Sequence, residues 1–149
     1  MNEDIKWMKM ALSQAKKAEL LGEVPVGAVL VKDNILIAQA HNQPILSSDP
    51  TAHAEVKLLQ NAGKIINNYR LVGTTLYVTL EPCIMCLGAI MHARVSNIVF
   101  GAYDLSSGAC GSSVDFTKLN CFNHKVNVTG GILEEDSRNL LHTFFKSKR

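Results

Sequence analysis

Two short stretches of the chain carry side chains able to hold a metal ion: Asp49-Pro-Thr-Ala-His-Ala-Glu55 and Glu81-Pro-Cys-Ile-Met-Cys86. Cys83 and Cys86 are three residues apart where a helix is expected to begin. In that arrangement the thiols can converge on one point, and the positive end of the helix favours the thiolate form that binds metal. Two sulfurs make half of a tetrahedral zinc site, and His53 is the candidate third donor. Glu55 lies two residues beyond His53. Positions i and i+2 diverge on a helix flank, so both can serve one centre only if it lies off the helix's N-terminal end. With His53, Cys83 and Cys86 on zinc and a water in the fourth place, a carboxylate within reach of that water is its natural proton acceptor. That makes Glu55 the candidate catalytic group.

The elements that must position these side chains follow from periodicity and punctuation. Thr75–Leu80 alternates as a strand, and Pro82 then occupies a position suited to a helix start. Asp49, of N-cap type, and Pro50 precede the apolar run Ala54, Val56, Leu58, Leu59, which predicts a helix ending at Gly63. Upstream, Met8, Ala11, Leu12, Ala15 and Ala18 form one face of a helix over about residues 4–21, stopped by Gly22, with Trp7 packed beneath it. Val24–Val31 and Ile35–Ala40 read as a β-hairpin turning at Lys32-Asp33-Asn34, and Gly27 marks a close backbone approach. Asn42–Asp49 reads as a loop. Asn97–Gly101 is a further strand, and strand, helix, strand at this spacing predicts a parallel crossover. Residues 102–124 show no period and read as irregular, functional loop. Lys125–Thr129 is a last strand, Gly130-Gly131 a turn, and residues 134–147 a final helix with Leu140, Leu141, Phe144 and Phe145 on or near its apolar side. Glu81, next to the cysteines, is expected to cap or hydrogen-bond the helix start.

Pro50-Thr-Ala-His-Ala-Glu55 and Thr79-Leu-Glu-Pro-Cys-Ile-Met-Cys86, with Glu23-Val-Pro-Val-Gly-Ala-Val29, Asn42 and Phe100-Gly-Ala-Tyr-Asp104, resemble the bacterial tRNA adenosine deaminases over nearly the whole chain. The H-x-E and P-C-x-x-C pair alone points only to a zinc-dependent deaminase of bases or nucleosides. The resemblance implies a three-layer α/β/α, cytidine-deaminase-like fold, with a central mixed five-stranded sheet flanked by helices. It implies one zinc per subunit and hydrolytic deamination of adenosine to inosine at the wobble position of a tRNA anticodon loop, by a homodimer. It also implies substrate contacts at Val26, Asn42, Pro44, Ala54, Asp104 and Phe145, the last covering the unstacked nucleotide. Four of them have a plainer reading: core packing for Val26 and Phe145, a turn-forming Asn42, a solvent-exposed turn aspartate at 104. The alternative function is deamination of a free base or nucleoside (guanine, cytosine or cytidine) at the same zinc site. A structural zinc or RNA-binding module without catalysis is the rival from another class; structural zinc usually takes four protein ligands, and no fourth candidate sits beside His53, Cys83 and Cys86.

Composition sets the outer limits. A chain of 149 residues, with 47% hydrophobic and 19% charged residues, suits one globular domain over residues 1–149. The longest apolar stretch, Val24–Val31, falls far short of the roughly 20 residues that cross a bilayer, and Met1–Lys6 lacks the order of a secretion signal. No membrane association is expected, and the cytoplasm is the expected location. Of four cysteines, the C-x-x-C pair favours metal over disulfide, leaving Cys110 and Cys121 as free thiols. A net charge of +2 does not announce a nucleic-acid binder. Glu134, Glu135 and Asp136 open the last helix and Lys146, Lys148 and Arg149 close it, which suits either the helix dipole or a phosphate-contacting tail. His41, His92, His124 and His142 have no ligand spacing and read as packed or surface histidines.

Overall fold

The computed structural model describes residues 2–148. The chain runs α1 (Asn2–Leu20), β1 (Gly27–Lys32), β2 (Ile35–His41), α2 (Pro44–Ser47), α3 (Ala54–Ile66), β3 (Thr74–Leu80), α4 (Ile84–His92), β4 (Asn97–Ala102), β5 (Asn127–Thr129) and α5 (Glu134–Ser147). The strands form one mixed sheet in the order β2-β1-β3-β4-β5. β1 is antiparallel to β2 and to β3, whereas β3, β4 and β5 run parallel. Helices cover both faces, giving the three-layer α/β/α architecture expected from the resemblance.

Alternation along the strands divides the core. Ala28 and Leu30 of β1, Leu76 and Val78 of β3 and Ile98 and Phe100 of β4 face α3 and α4, where Leu58, Ala62, Leu87, Ile90 and Met91 meet them. Val29, Val31, Tyr77 and Val99 point the other way, onto Trp7, Met8 and Ala11 of α1. Trp7 is therefore core. β4, parallel to both of its neighbours and covered on both faces, is an apolar run from Ile98 to Ala102, whereas β3 keeps Thr74, Thr75 and Thr79.

Two glycines let α1 and α5 approach the sheet. A Cβ on Gly27 would lie 2.1 Å from the Ala11 carbonyl oxygen and 2.4 Å from the Ala15 nitrogen, so α1 crosses β1 where only glycine fits. A Cβ on Gly101 would meet the Ser137 hydroxyl of α5 at 2.4 Å.

Several boundaries differ from the expected ones. β1 starts at Gly27 rather than Val24, because the Val26 amide bonds back to the Val24 carbonyl in a tight turn. The hairpin turns on Asp33 and Asn34, both with positive φ, the geometry that matches strand twist. The 42–49 segment contains the short helix α2, whose first amides at Ile45 and Leu46 donate to the buried carboxylate of Glu23. Asp49 does not cap α3: its Oδ1 accepts from the Thr51 amide and hydroxyl in a local turn, and the N-cap is His53. Gly63 lies inside α3, which continues to Ile66 and stops at left-handed Asn67. Pro82 precedes the N-cap of α4 instead of opening the helix. β5 is only three residues long. Among the described residues no helix is long and apolar enough to cross a membrane.

Candidate metal and catalytic centre

β3 and β4 pair in register at Leu80 and Ala102, so the parallel strands end side by side. One residue later the Glu81 amide still donates to the Ala102 carbonyl, and Pro82 then turns the chain into α4. Cys83 is the extended N-cap of α4 (φ −77°, ψ 175°), and Cys86, one turn in, is buried. Facing them, His53 is the extended N-cap of α3 (φ −69°, ψ 155°). As an N-cap its side chain is released from the helical direction that would have separated it from Glu55. The geometric condition on these two residues is thereby met: His53 stands before the helix, and Glu55 lies in its first turn.

The potential ligand atoms of His53, Cys83 and Cys86 all lie within 4.8 Å of one another. His53 Nδ1 is 3.4 Å from Cys86 Sγ and 3.7 Å from Cys83 Sγ. Among the described residues no other histidine, cysteine or carboxylate joins this group. Two sulfurs and one imidazole nitrogen at the beginnings of two helices fit zinc with one position left for a non-protein ligand. The two thiols pull each other in opposite directions: hydrogen bonding from Cys86 holds Cys83 down at about 4, while that same bond and burial push Cys86 up. His53 is raised by its hydrogen bond to Cys83.

Glu55 is buried against this group. Burial pushes its carboxyl up to about 7, opposed by a hydrogen bond from its own amide and joined by the negative charge of Cys83. A carboxyl poised there exchanges protons readily near neutral pH.

Around the centre, Asn42 ties three elements together. Its amide donates to the Val26 carbonyl, and its side-chain Oδ1 accepts from the Ala54 amide at 3.0 Å, satisfying a first-turn donor of α3. Val26, Asn42, Ala54 and His53 are thus neighbours, with half-buried Pro44 beginning α2 next to them. Val26 and Ala54 are also core residues. Asp104 is joined to the cysteine turn through Glu81, and its Oδ1 accepts from Ser106 and Ser107 in a turn, where the residue is half-buried rather than fully solvent-exposed. Phe145 is half exposed on α5, and its ring packs against buried Phe144 rather than against the His53 group. His41 and His124 bond to backbone carbonyls.

Glu81 departs from expectation. It does not touch the start of α4; its carboxylate accepts from Asp104, Cys110 and Ser112 across the 103–112 loop. Glu23 is part of a motif carrying the resemblance, but its role in organising α2 was not expected from the sequence. The only signal for either was a charged residue set against an apolar run.

A family model describing MafB19-like deaminases matches residues 2–149. The chain is 52% identical over 147 residues to the tRNA-specific adenosine deaminase of Haemophilus influenzae, covering 98% of this chain and 85% of that protein. It is 45% identical over 149 residues to the tRNA-specific adenosine deaminase of Bacillus subtilis, covering 100% of this chain and 92% of the relative. A solved chain from structural studies of A-to-I editing by tRNA:A34 deaminases at the wobble position of transfer RNA superposes with a TM-score of 0.89. It is 40% identical and covers 91% of this chain and 99% of its own.

Proposed function

The chain belongs to the family of tRNA-specific adenosine deaminases, and from that premise we propose that it converts the wobble adenosine of a tRNA anticodon loop to inosine by hydrolysis. The observation that carries the reading is the His53, Cys83, Cys86 group with buried Glu55 beside it. Zinc held by these three residues, one ion per subunit, supplies the Lewis acid at which water becomes a competent nucleophile. Glu55 manages the protons. It takes one from the attacking water and delivers it to N1 of the purine as oxygen adds to C6. It then takes the second from the new hydroxyl and delivers it to the amino group, so that the C6–N bond breaks, C6=O forms and ammonia leaves.

Asn42 offers the substrate its Nδ2, since Oδ1 already accepts from the Ala54 amide. Val26, Pro44 and Ala54 make the adjoining wall, and Asp104 retains its Oδ2 for the nucleotide. The exposed ring of Phe145 suits stacking on an unpaired base. Extracting a base from a stacked loop costs a few kcal/mol, least where the RNA is already single-stranded, which favours an anticodon loop. Lys146 and Lys148 close α5 on the side of phosphate contact; Arg149, the third member of that basic end, lies outside the described residues. The enzyme works in the cytoplasm as a homodimer. An apolar groove of about 850 Å³ between α3 and α4, lined by Val56, Leu59, Ala89 and Ala93, is the surface that suits a second copy.

The test is incubation of zinc-loaded protein with an adenosine-containing anticodon stem-loop and, separately, with free adenosine, cytidine and guanine. Inosine is expected in the stem-loop alone. Turnover restricted to a free base or nucleoside would transfer the activity to the alternative class.

A further inference from the structure

Glu81 is 2% exposed, lies two residues from Cys83, and has no ion-pair partner among the described residues. A buried carboxylate in that situation must be satisfied by hydrogen bonds. Oε1 accepts from the Asp104 amide at 3.1 Å and from the Ser112 hydroxyl, and Oε2 accepts from the amides of Cys110 and Ser112 at 3.0 and 3.1 Å. All four donors belong to one loop. Gly108 packs flat on the same carboxylate, where a Cβ would lie 2.4 Å from Cδ and 2.5 Å from Oε2. The backbone repeats the connection, since the Ala109 amide donates to the Pro82 carbonyl at 2.9 Å.

The loop fastened in this way carries Asp104, whose amide is held by Glu81 two residues before Cys83, and then Leu105, which is 82% exposed. A large apolar side chain held out on a fixed loop is suited to an unstacked base or ribose. No lone-pair direction of Glu81 is left for a substrate proton. We propose that Glu81 is a positioning residue that fixes the 103–112 loop as the wall receiving the nucleotides flanking the target adenosine, and that it takes no part in proton transfer. This rests on the RNA substrate argued above.

Glu81→Gln tests it. The amide presents an NH₂ where a carboxylate oxygen accepted, so at least one loop N–H faces another donor. With the stem-loop, KM is expected to rise about tenfold or more while kcat stays within about twofold, the pattern of lost binding rather than lost chemistry. Zinc should remain at one per chain. Gly108→Ala presses on the carboxylate from the loop side and should give the same KM effect. The double variant should be no worse than the more severe single one, because both break the same clamp. A fall in kcat at unchanged KM, loss of zinc, or additive effects would overturn the proposal. Amide hydrogen exchange at Asp104, Cys110 and Ser112 is read without any substrate. Acceleration at these positions in Glu81→Gln is expected, and unchanged protection would refute the clamp. Failure of the wild-type protein to deaminate the stem-loop would instead count against the RNA substrate, leaving the exchange result to decide the clamp by itself.

Discussion

Two buried carboxylates flank the same candidate metal-binding group, and the structure treats them in opposite ways. Glu55, in the first turn of α3, is desolvated, and the hydrogen bonds from its own amide and Cys86 do not offset that burial, so its carboxyl rises to about 7 and can take up and release a proton. Glu81, at the end of β3, is equally buried but saturated by four donors from a single loop. Burial alone therefore does not mark a catalytic acid. The supply of hydrogen bonds separates the carboxyl proposed to move protons from the one proposed to hold a wall in place.

The strongest way to break this contrast is to remove the centre both residues flank. Cys83→Ala or Cys86→Ala should abolish bound zinc and activity together, measured by metal analysis and stem-loop turnover; zinc retained at full stoichiometry would mean the ligand set is wrong. Next, Glu55→Gln keeps the shape but not the proton carrier. Its kcat should fall by about 10²–10⁴-fold with zinc retained. Set beside the KM effect expected of Glu81→Gln, this is the sharpest form of the comparison, and similar kinetic changes in the two variants would erase it.

Asn42→Ala removes the side-chain acceptor from the Ala54 amide and should cost about 1 kcal/mol of stability, with a raised KM. Asn42→Asp, which keeps an acceptor, should recover the stability in a denaturant titration. The smallest effect is a pH slope in metal-free protein. Glu55 ionises at its ordinary 4.5 in the unfolded chain and at about 7 in the fold, so the fold keeps a proton that the unfolded chain releases. Stability should therefore decline as pH rises from about 4.5 to about 7. Melting temperatures of chelator-treated protein across that window should show a decline that Glu55→Gln lacks, and parallel curves would contradict it.

The centre was legible because its chemistry is local. His53 and Glu55, and Cys83 and Cys86, are each within one helical turn. The sheet was legible because apolar alternation separates its two faces, as in Ala28 and Leu30 against Val29 and Val31. Boundaries failed where one residue satisfies two rules: Asp49-Pro50 imitates an N-cap but makes its own turn, and Gly63 resembles a stop yet is tolerated inside α3 because later contacts carry the helix on. The roles of Glu23 and Glu81 were hidden because their partners lie 22 to 31 residues away, in segments without periodicity.

The most direct test of the central claim is X-ray absorption at the zinc edge of metal-loaded wild-type protein. Two sulfurs at about 2.3 Å, one imidazole nitrogen near 2.0–2.1 Å and one further light atom not supplied by the protein are predicted. A third sulfur, such as Cys110 drawn into the shell, or a second imidazole closing the fourth position, would contradict it.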